Sequence, residues 1–170
     1  MDFLVLVQRR YSSRAFDTDR RIEAEALNRI LRAGQLAPTG RNAQPVKIYV
    51  ITTEEGLKKA SECTPCTYGA PVLLLVAYDD RHPESHLAEN DVNVGLVDAT
   101  ILATHLMLAA EEQGIGSCYV ELFYASRTKE LFSLPDGWEP ACFLPIGYSA
   151  AEPGPRHFVR KSLEELAEFC

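Results

Sequence analysis

The sequence predicts a single α+β domain with a mixed central β-sheet flanked by helices, and three observations lead there. Segments with helical apolar spacing alternate with short β-branched runs, in an order that does not demand a fully parallel sheet. The run Val72 to Tyr78 is apolar without a break, as a strand buried on both faces is. No repeat, low-complexity tract or linker divides residues 1–170, so the chain is one unit.

Each element follows from local signals. Met1 to Gln8 is a short apolar helix that runs into the cationic stretch Arg9-Arg10-Tyr11-Ser12-Ser13-Arg14. Glu23 to Gln35 places Leu27, Ile30, Leu31 and Gly34 at helical spacing and stops at Pro38. Thr39-Gly40-Arg41-Asn42 is a turn, and Val46 to Thr52 is a strand by its β-branched and aromatic residues. Glu54 to Ser61 is a surface helix, and Pro71 opens the second strand, Val72 to Tyr78. Asp79 to Glu89, with two histidines, a proline and several charges, is a loop.

The long helix from about Asp91 to Gln113 ends at Gly114. It is apolar on nearly every face, through Val94, Leu96, Val97, Ile101, Leu102, Leu106, Met107, Leu108 and Ala109. Such a helix must be covered all round, and a domain of this size has little material to do it, which points to a second subunit. Ser117 to Leu122 is a third strand, Ser126 to Phe132 a short helix and Glu139 to Ile146 a fourth strand. A Pro/Gly-rich tail, Ala151 to Pro155, leads to a last short helix, Ser162 to Phe169.

A net charge of -7 argues against nucleic acid or an anionic membrane as the main partner, since both demand a basic face. Met1 to Gln8 has neither the basic start nor the cleavage site of a signal peptide. Five cysteines, an odd number, fit reduced thiols in the cytoplasm. Thr104, His105 and Asp98 within the long helix make it a buried helix rather than a membrane span.

Two segments carry the candidate chemistry. Arg10-Tyr11-Ser12-Ser13-Arg14 offers two guanidinium groups and two hydroxyls within five residues. If extended, it aims residues 10, 12 and 14 to one side, a compact phosphate cradle; alone, it reads more readily as a solvated basic run. In Ala37-Pro38-Thr39-Gly40-Arg41-Asn42-Ala43-Gln44-Pro45 the polar side chains Thr39, Asn42 and Gln44 sit in a turn pinned by prolines. The amides of Asn42 and Gln44 each donate and accept hydrogen bonds, though a plain connecting turn has the same composition. Other patterns are set aside. Cys63-Thr64-Pro65-Cys66 has no second pair to complete a zinc site, and its reading as a redox dithiol gives way to two ordinary thiols. The histidine pair His82 and His86 is interrupted by Pro83, and Gly114-Ile115-Gly116 lacks the third glycine of a dinucleotide fingerprint. No metal site is expected.

Taken together in order, RRYSSRAF from Arg9, LAPTGRNAQP from Leu36, APVLLLVAYD from Ala70, VGLVDATILATHLMLAAEEQGIGSC from Val94 and LPIGY from Leu144 resemble the nitroreductase family of FMN enzymes. The resemblance spans nearly the whole chain. It implies a three-layer fold in an intertwined homodimer, and an NAD(P)H-oxidising flavoprotein that passes hydride through flavin N5 to nitroaromatics, quinones or similar acceptors by a ping-pong mechanism. It implies phosphate and ribityl contacts at Arg10, Tyr11, Ser12 and Arg14. The partner's flavin would be reached by Pro38, Thr39, Gly40, Asn42 and Gln44. A backbone amide within Val120-Glu121-Leu122 would face N5, and Arg160 or Lys161, with Arg156 in competition, would complete the phosphate site. No catalytic side chain is implied, because the flavin carries the chemistry. The chain departs from the family in three places: Glu121-Leu122 stands where a small residue is common, Val46 where tryptophan often follows Gln-Pro, and the inserted helical segment of the long members is missing. The acceptor, and the choice between NADH and NADPH, therefore stay open. Specialised chemistry on the same fold and a non-catalytic flavin-binding protein are the alternatives.

Overall fold

The computed structural model describes residues 2–82 and 92–170. The helix start expected at Asp91, and the part of the histidine-bearing loop that includes His86, lie outside the described residues. Six helices, α1 (Phe3–Arg9), α2 (Ala24–Gln35), α3 (Glu54–Cys63), α4 (Val94–Glu112), α5 (Ala125–Leu131) and α6 (Leu163–Leu166), alternate with four strands. The strands are β1 (Val46–Ile51), β2 (Val72–Asp79), β3 (Gly116–Ser117) and β4 (Trp138–Gly147).

The sheet order is β1-β2-β4-β3. All three ladders are antiparallel, from Val46 opposite Tyr78, Val72 opposite Ile146 and Gly116 opposite Gly147. The mixed character expected of the sheet rests on one isolated parallel bridge, Ser12 to Ser117. β4 carries Pro140 at a bulge, where Val76 faces Cys142 but Ala77 faces Pro140. A bulge is where a strand tolerates the missing N–H of proline.

β2 is buried throughout except for Asp79, as its apolar run requires. Its alternating side chains build two cores. Leu74 and Val76 join Ile30 of α2, Leu102 and Leu106 of α4 and Leu144 of β4. Leu73 and Leu75 turn the other way, to Phe143, Cys118 and the Ala60 and Cys63 of α3. This is the three-layer arrangement, with α2 and α4 on one face of the sheet and α3 and α5 on the other. Each fully buried Leu adds about 1.5–3 kcal/mol.

α4 starts at an Asn93 cap, whose side chain accepts from the Leu96 N–H at 3.0 Å, and stops at Gly114 with φ +70. It is long and apolar enough to cross a membrane by composition, yet half of it is buried inside the chain as the centre of the first core. The third strand is shorter than expected. Only residues 116 and 117 hold register with β4; the chain returns once, at Val120 opposite Phe143, and then leaves the sheet. The last helix shrinks to one turn held by a Ser162–Glu165 capping box. No residue of α6 is buried, and a helix this short without packing does not extend itself.

Candidate functional site

The N-terminal segment after α1 is extended and clamped from both sides. On one side, the Ser13 N–H donates to the Ser117 carbonyl at 2.9 Å beside the Ser12–Ser117 bridge. On the other, the Ala150 N–H donates to Ala15 O at 2.9 Å, the Asp17 N–H to Tyr148 O at 2.8 Å, and the Tyr11 hydroxyl to Ala151 O at 2.5 Å. Further along the tail, His157 Nε2 meets the Gln8 carbonyl at 2.9 Å. The two ends of the chain are thereby laid across each other.

Between them lies a cavity of about 510 Å³ lined by Arg10, Tyr11, Ser12, Arg14, Gly154, Pro155, Arg156, His157 and Arg160. Arg10, Ser12 and Arg14 reach the same space as the alternation requires, but Tyr11 between them lines it too. Arg156 and Arg160 both line it, brought round by a 3-10 turn at Pro155–Phe158, whereas Lys161 does not. Gly154, Pro155 and His157 were not foreseen. Their signal in the sequence is the Pro/Gly-rich approach to the basic tail, which makes a sharp return rather than a plain connection.

The electrostatics of this cavity are one-sided, since among the described residues four guanidinium groups line it and no carboxylate does. Arg9, next in sequence to Arg10, is drawn away by the buried Glu111 (Nε to Oε1 3.3 Å). Among the described residues Arg10, Arg14, Arg156 and Arg160 make no ion pair. At the back of the site, burial pushes the Cys118 thiol above its ordinary range, an effect that Arg14 and Ser12 partly offset. The Ser117 hydroxyl is buried with no hydrogen-bond partner among the described residues.

The stretch expected near the reacting edge divides by residue. Val120 is buried and exchanges two hydrogen bonds with Phe143, at 2.9 and 3.0 Å, so its N–H is engaged. The N–H groups of Glu121 and Leu122 have no partner among the described residues, and Leu122 is 67% exposed.

The second segment does not line this cavity. Thr39 and Gln44 border a separate depression of about 320 Å³ beside α2 and β1. Its backbone is held in an unusual form, with Arg41, Asn42 and Gln44 at φ 51, 57 and 55. Residues held in that region cost of order 1–3 kcal/mol each, and such strain collects at functional sites. It is supported by the Gln44 N–H donating to Thr39 Oγ1 at 3.0 Å, and by the Gly40 N–H donating to the buried Asp98 carboxylate at 3.0 Å. Asn42 and Gln44 themselves are exposed, and Pro38 stands outside both cavities.

The Cys63–Cys66 stretch follows the end of α3. Burial pushes the Cys63 thiol up, opposite to what a reactive dithiol needs. Among the described residues no cluster of three or more His, Cys, Asp or Glu could hold a metal.

Fold and site together define an α+β protein with an arginine-lined cavity formed where its two ends meet. A profile of the nitroreductase family matches residues 7–64 and 63–148, so the chain belongs to the nitroreductase family. A solved nitroreductase family protein from Clostridium difficile superposes with a TM-score of 0.89 at 34% identity, covering 99% of this chain and 98% of that one. An FMN complex of a nitroreductase-like protein from Exiguobacterium sibiricum shares the fold, with a TM-score of 0.84 at 22% identity over 100% of this chain and 98% of that one. The FMN reductase [NAD(P)H] of Bacillus subtilis is 32% identical over 150 residues, 78% of this chain and 60% of that protein. A Methanothermobacter thermautotrophicus protein, named for NADH dehydrogenase or NAD(P)H nitroreductase activity, is 28% identical over 165 residues, 92% of this chain and 82% of its own length. The family and fold expected from the ordered motifs are borne out.

Proposed function

We propose that this chain is an FMN-dependent oxidoreductase that moves hydride from NADH or NADPH to nitroaromatics, quinones or similar small acceptors, working as a homodimer. The observation that carries this reading is the acid-free cavity lined by Arg10, Arg14, Arg156 and Arg160 on a nitroreductase fold. Its donors suit a phosphate monoester: planar guanidinium groups pair with the oxygens, and the Ser12 hydroxyl adds a neutral donor. The Glu121 and Leu122 N–H groups, unpartnered among the described residues, offer further donors for the polar edges of FMN.

The chemistry FMN supplies when bound is hydride uptake at N5 and its delivery to an acceptor, so donor and acceptor alternate in one place with ping-pong kinetics. The chain's own part is binding and orientation. The four arginines hold the phosphate, and the Glu121 and Leu122 N–H groups present donors where negative charge builds up on reduction. No side chain is required as acid or base. Pro38, Thr39, Gly40, Asn42 and Gln44, remote from this cavity within one protomer, serve the flavin of the partner. Exposed apolar side chains support that pairing: Phe3 and Leu4 on α1, Leu96 and Val97 on α4, and Leu163, Leu166 and Phe169 in the tail. Five free cysteines suit a reducing cytoplasm, and the acidic net charge disfavours nucleic acid and anionic membrane.

Protein mixed with FMN should hold it and show a flavin spectrum that NADH or NADPH bleaches and a nitroaromatic restores. A chain that stays colourless with added FMN overturns the reading. Light scattering should find a dimer; a stable monomer that retains flavin refutes the pairing. One observation favours a second reading. Leu122 projects where the family commonly has a small residue, which narrows the space over the ring and suits specialised flavin chemistry. FMN-loaded protein that turns over with neither nicotinamide donor selects it.

A further inference from the structure

Thr64 follows α3 directly and is 1% exposed. A buried hydroxyl is kept where it makes hydrogen bonds, and this one makes two. It donates to the Leu122 carbonyl at 2.7 Å and accepts from the Cys66 N–H at 3.0 Å. One side chain thereby ties two loops that lie 58 residues apart. The same seam continues on either side. The Tyr124 N–H donates to Cys63 O at 2.9 Å, and the fully buried Thr128 donates its hydroxyl to Tyr124 O at 2.9 Å.

On the opposite flank, Val120 is locked to Phe143 through both its N–H and its carbonyl. The turn between these anchors carries the Glu121 and Leu122 N–H groups, which have no partner among the described residues. The neighbours Val120 and Phe123 pack on the second core, whereas Glu121 and Leu122 between them are exposed and contribute little to either core. A turn tied on both flanks that leaves two adjacent donors open is a preorganised donor pair.

We propose that Thr64 is a positioning residue: by holding the Leu122 carbonyl it aims the Glu121 and Leu122 N–H groups at the reacting edge of the flavin, and so sets how readily that flavin is reduced. The inference rests on the reading that FMN binds here, and adds a residue which that reading does not require. Donors aimed at a ring that gains charge favour its reduced form, and a loosened turn gives up part of that advantage. Thr64 touches no reacting atom itself.

The test compares Thr64→Val, which keeps the shape and removes the hydroxyl, with Thr64→Ser, which keeps the hydroxyl. Two readouts are taken on the full chain: amide hydrogen exchange of the 120–124 peptide without FMN, and the two-electron midpoint potential with FMN bound. Thr64→Val should speed exchange in that peptide about tenfold. It should also make reduction about tenfold less favourable, a potential lower by about 30 mV for two electrons. Thr64→Ser should stay close to wild type in both. A Thr64→Val protein that holds FMN at the wild-type potential overturns the proposal, as does Thr64→Ser shifting as far as Thr64→Val. If Thr64→Val fails to fold, Thr64→Ala, which also removes the hydroxyl, takes its place: tenfold changes in both readouts uphold the proposal, and wild-type values overturn it. Failure to take up any FMN would instead sink the functional reading, while the exchange data still show whether Thr64 holds the turn.

Discussion

An arginine serves a bound phosphate only if no carboxylate has already engaged it. Arg9 is taken by Glu111, Arg81 by Asp136, and Arg127 by Glu62 and Glu130, while the four arginines of the cavity make no ion pair among the described residues. Each charge-assisted contact to phosphate contributes about 1.5–3 kcal/mol, so Arg14→Ala should weaken FMN binding by about tenfold or more in a fluorescence titration. Lys161→Ala should change it far less, because Lys161 does not line the cavity. Equal effects of the two substitutions would place the phosphate elsewhere. That Arg10, Ser12 and Arg14 share one cavity was legible in the sequence from an extended backbone; that Tyr11 joins them does not follow from alternation. The division among Arg156, Arg160 and Lys161 was not, since it depends on the return made by the Pro155–Phe158 turn. Thr64 was illegible for a different reason: the carbonyl that gives its hydroxyl a role lies 58 residues further on.

At the scale of elements, β2 and α4 could be read directly, because burial on all sides leaves an uninterrupted apolar run. β3 could not. Its composition suits a strand to Leu122, but the ladder depends on where β4 stops matching it, which is a property of the pair. α2 and α4 approach closely at Gly34, where an added Cβ would stand 2.6 Å from Leu106 Cδ2 and 3.1 Å from its Cγ. Two opposed effects bear on a substitution there. Replacing glycine inside a helix gains up to about 1 kcal/mol, while overpacking a filled core costs about 1–3 kcal/mol. Overpacking prevails with a branched side chain, so Gly34→Val should lower stability by about 1–3 kcal/mol. That corresponds to a melting temperature lower by roughly 2–12 °C for a chain of this size. Unchanged melting would mean that the two helices part without penalty.

At the scale of the whole molecule, a chain of net charge -7 concentrates four arginines in one cavity, so its acidity guides no anion to the site. The cores also set a limit of pH. Burial raises Cys142 from its ordinary 9.0 to about 12. It raises Tyr119 from 10.0 to about 12. The unfolded chain therefore loses these protons first, and the stability gained from keeping them neutral is complete below pH 9 and lost as pH climbs toward 12. Denaturation midpoints should hold steady up to pH 9 and fall across that interval. A midpoint that does not fall there contradicts the burial of these two groups.

The anion cavity joins Arg10–Arg14 to residues 154–160, with ties such as His157 to Gln8 that span 149 positions. During synthesis its first half emerges from the ribosome early and must wait for almost all of the remaining chain before it has a counterpart. With the FMN phosphate seated here as proposed, cofactor uptake becomes a late event of biogenesis, since the cavity is complete only once translation has passed Arg160. A chain halted before Pro155 would retain both halves of the sheet and its two cores, yet it would have no finished place for a phosphate. On that reading the crossing of the two ends would act as a check on completeness, built from geometry alone.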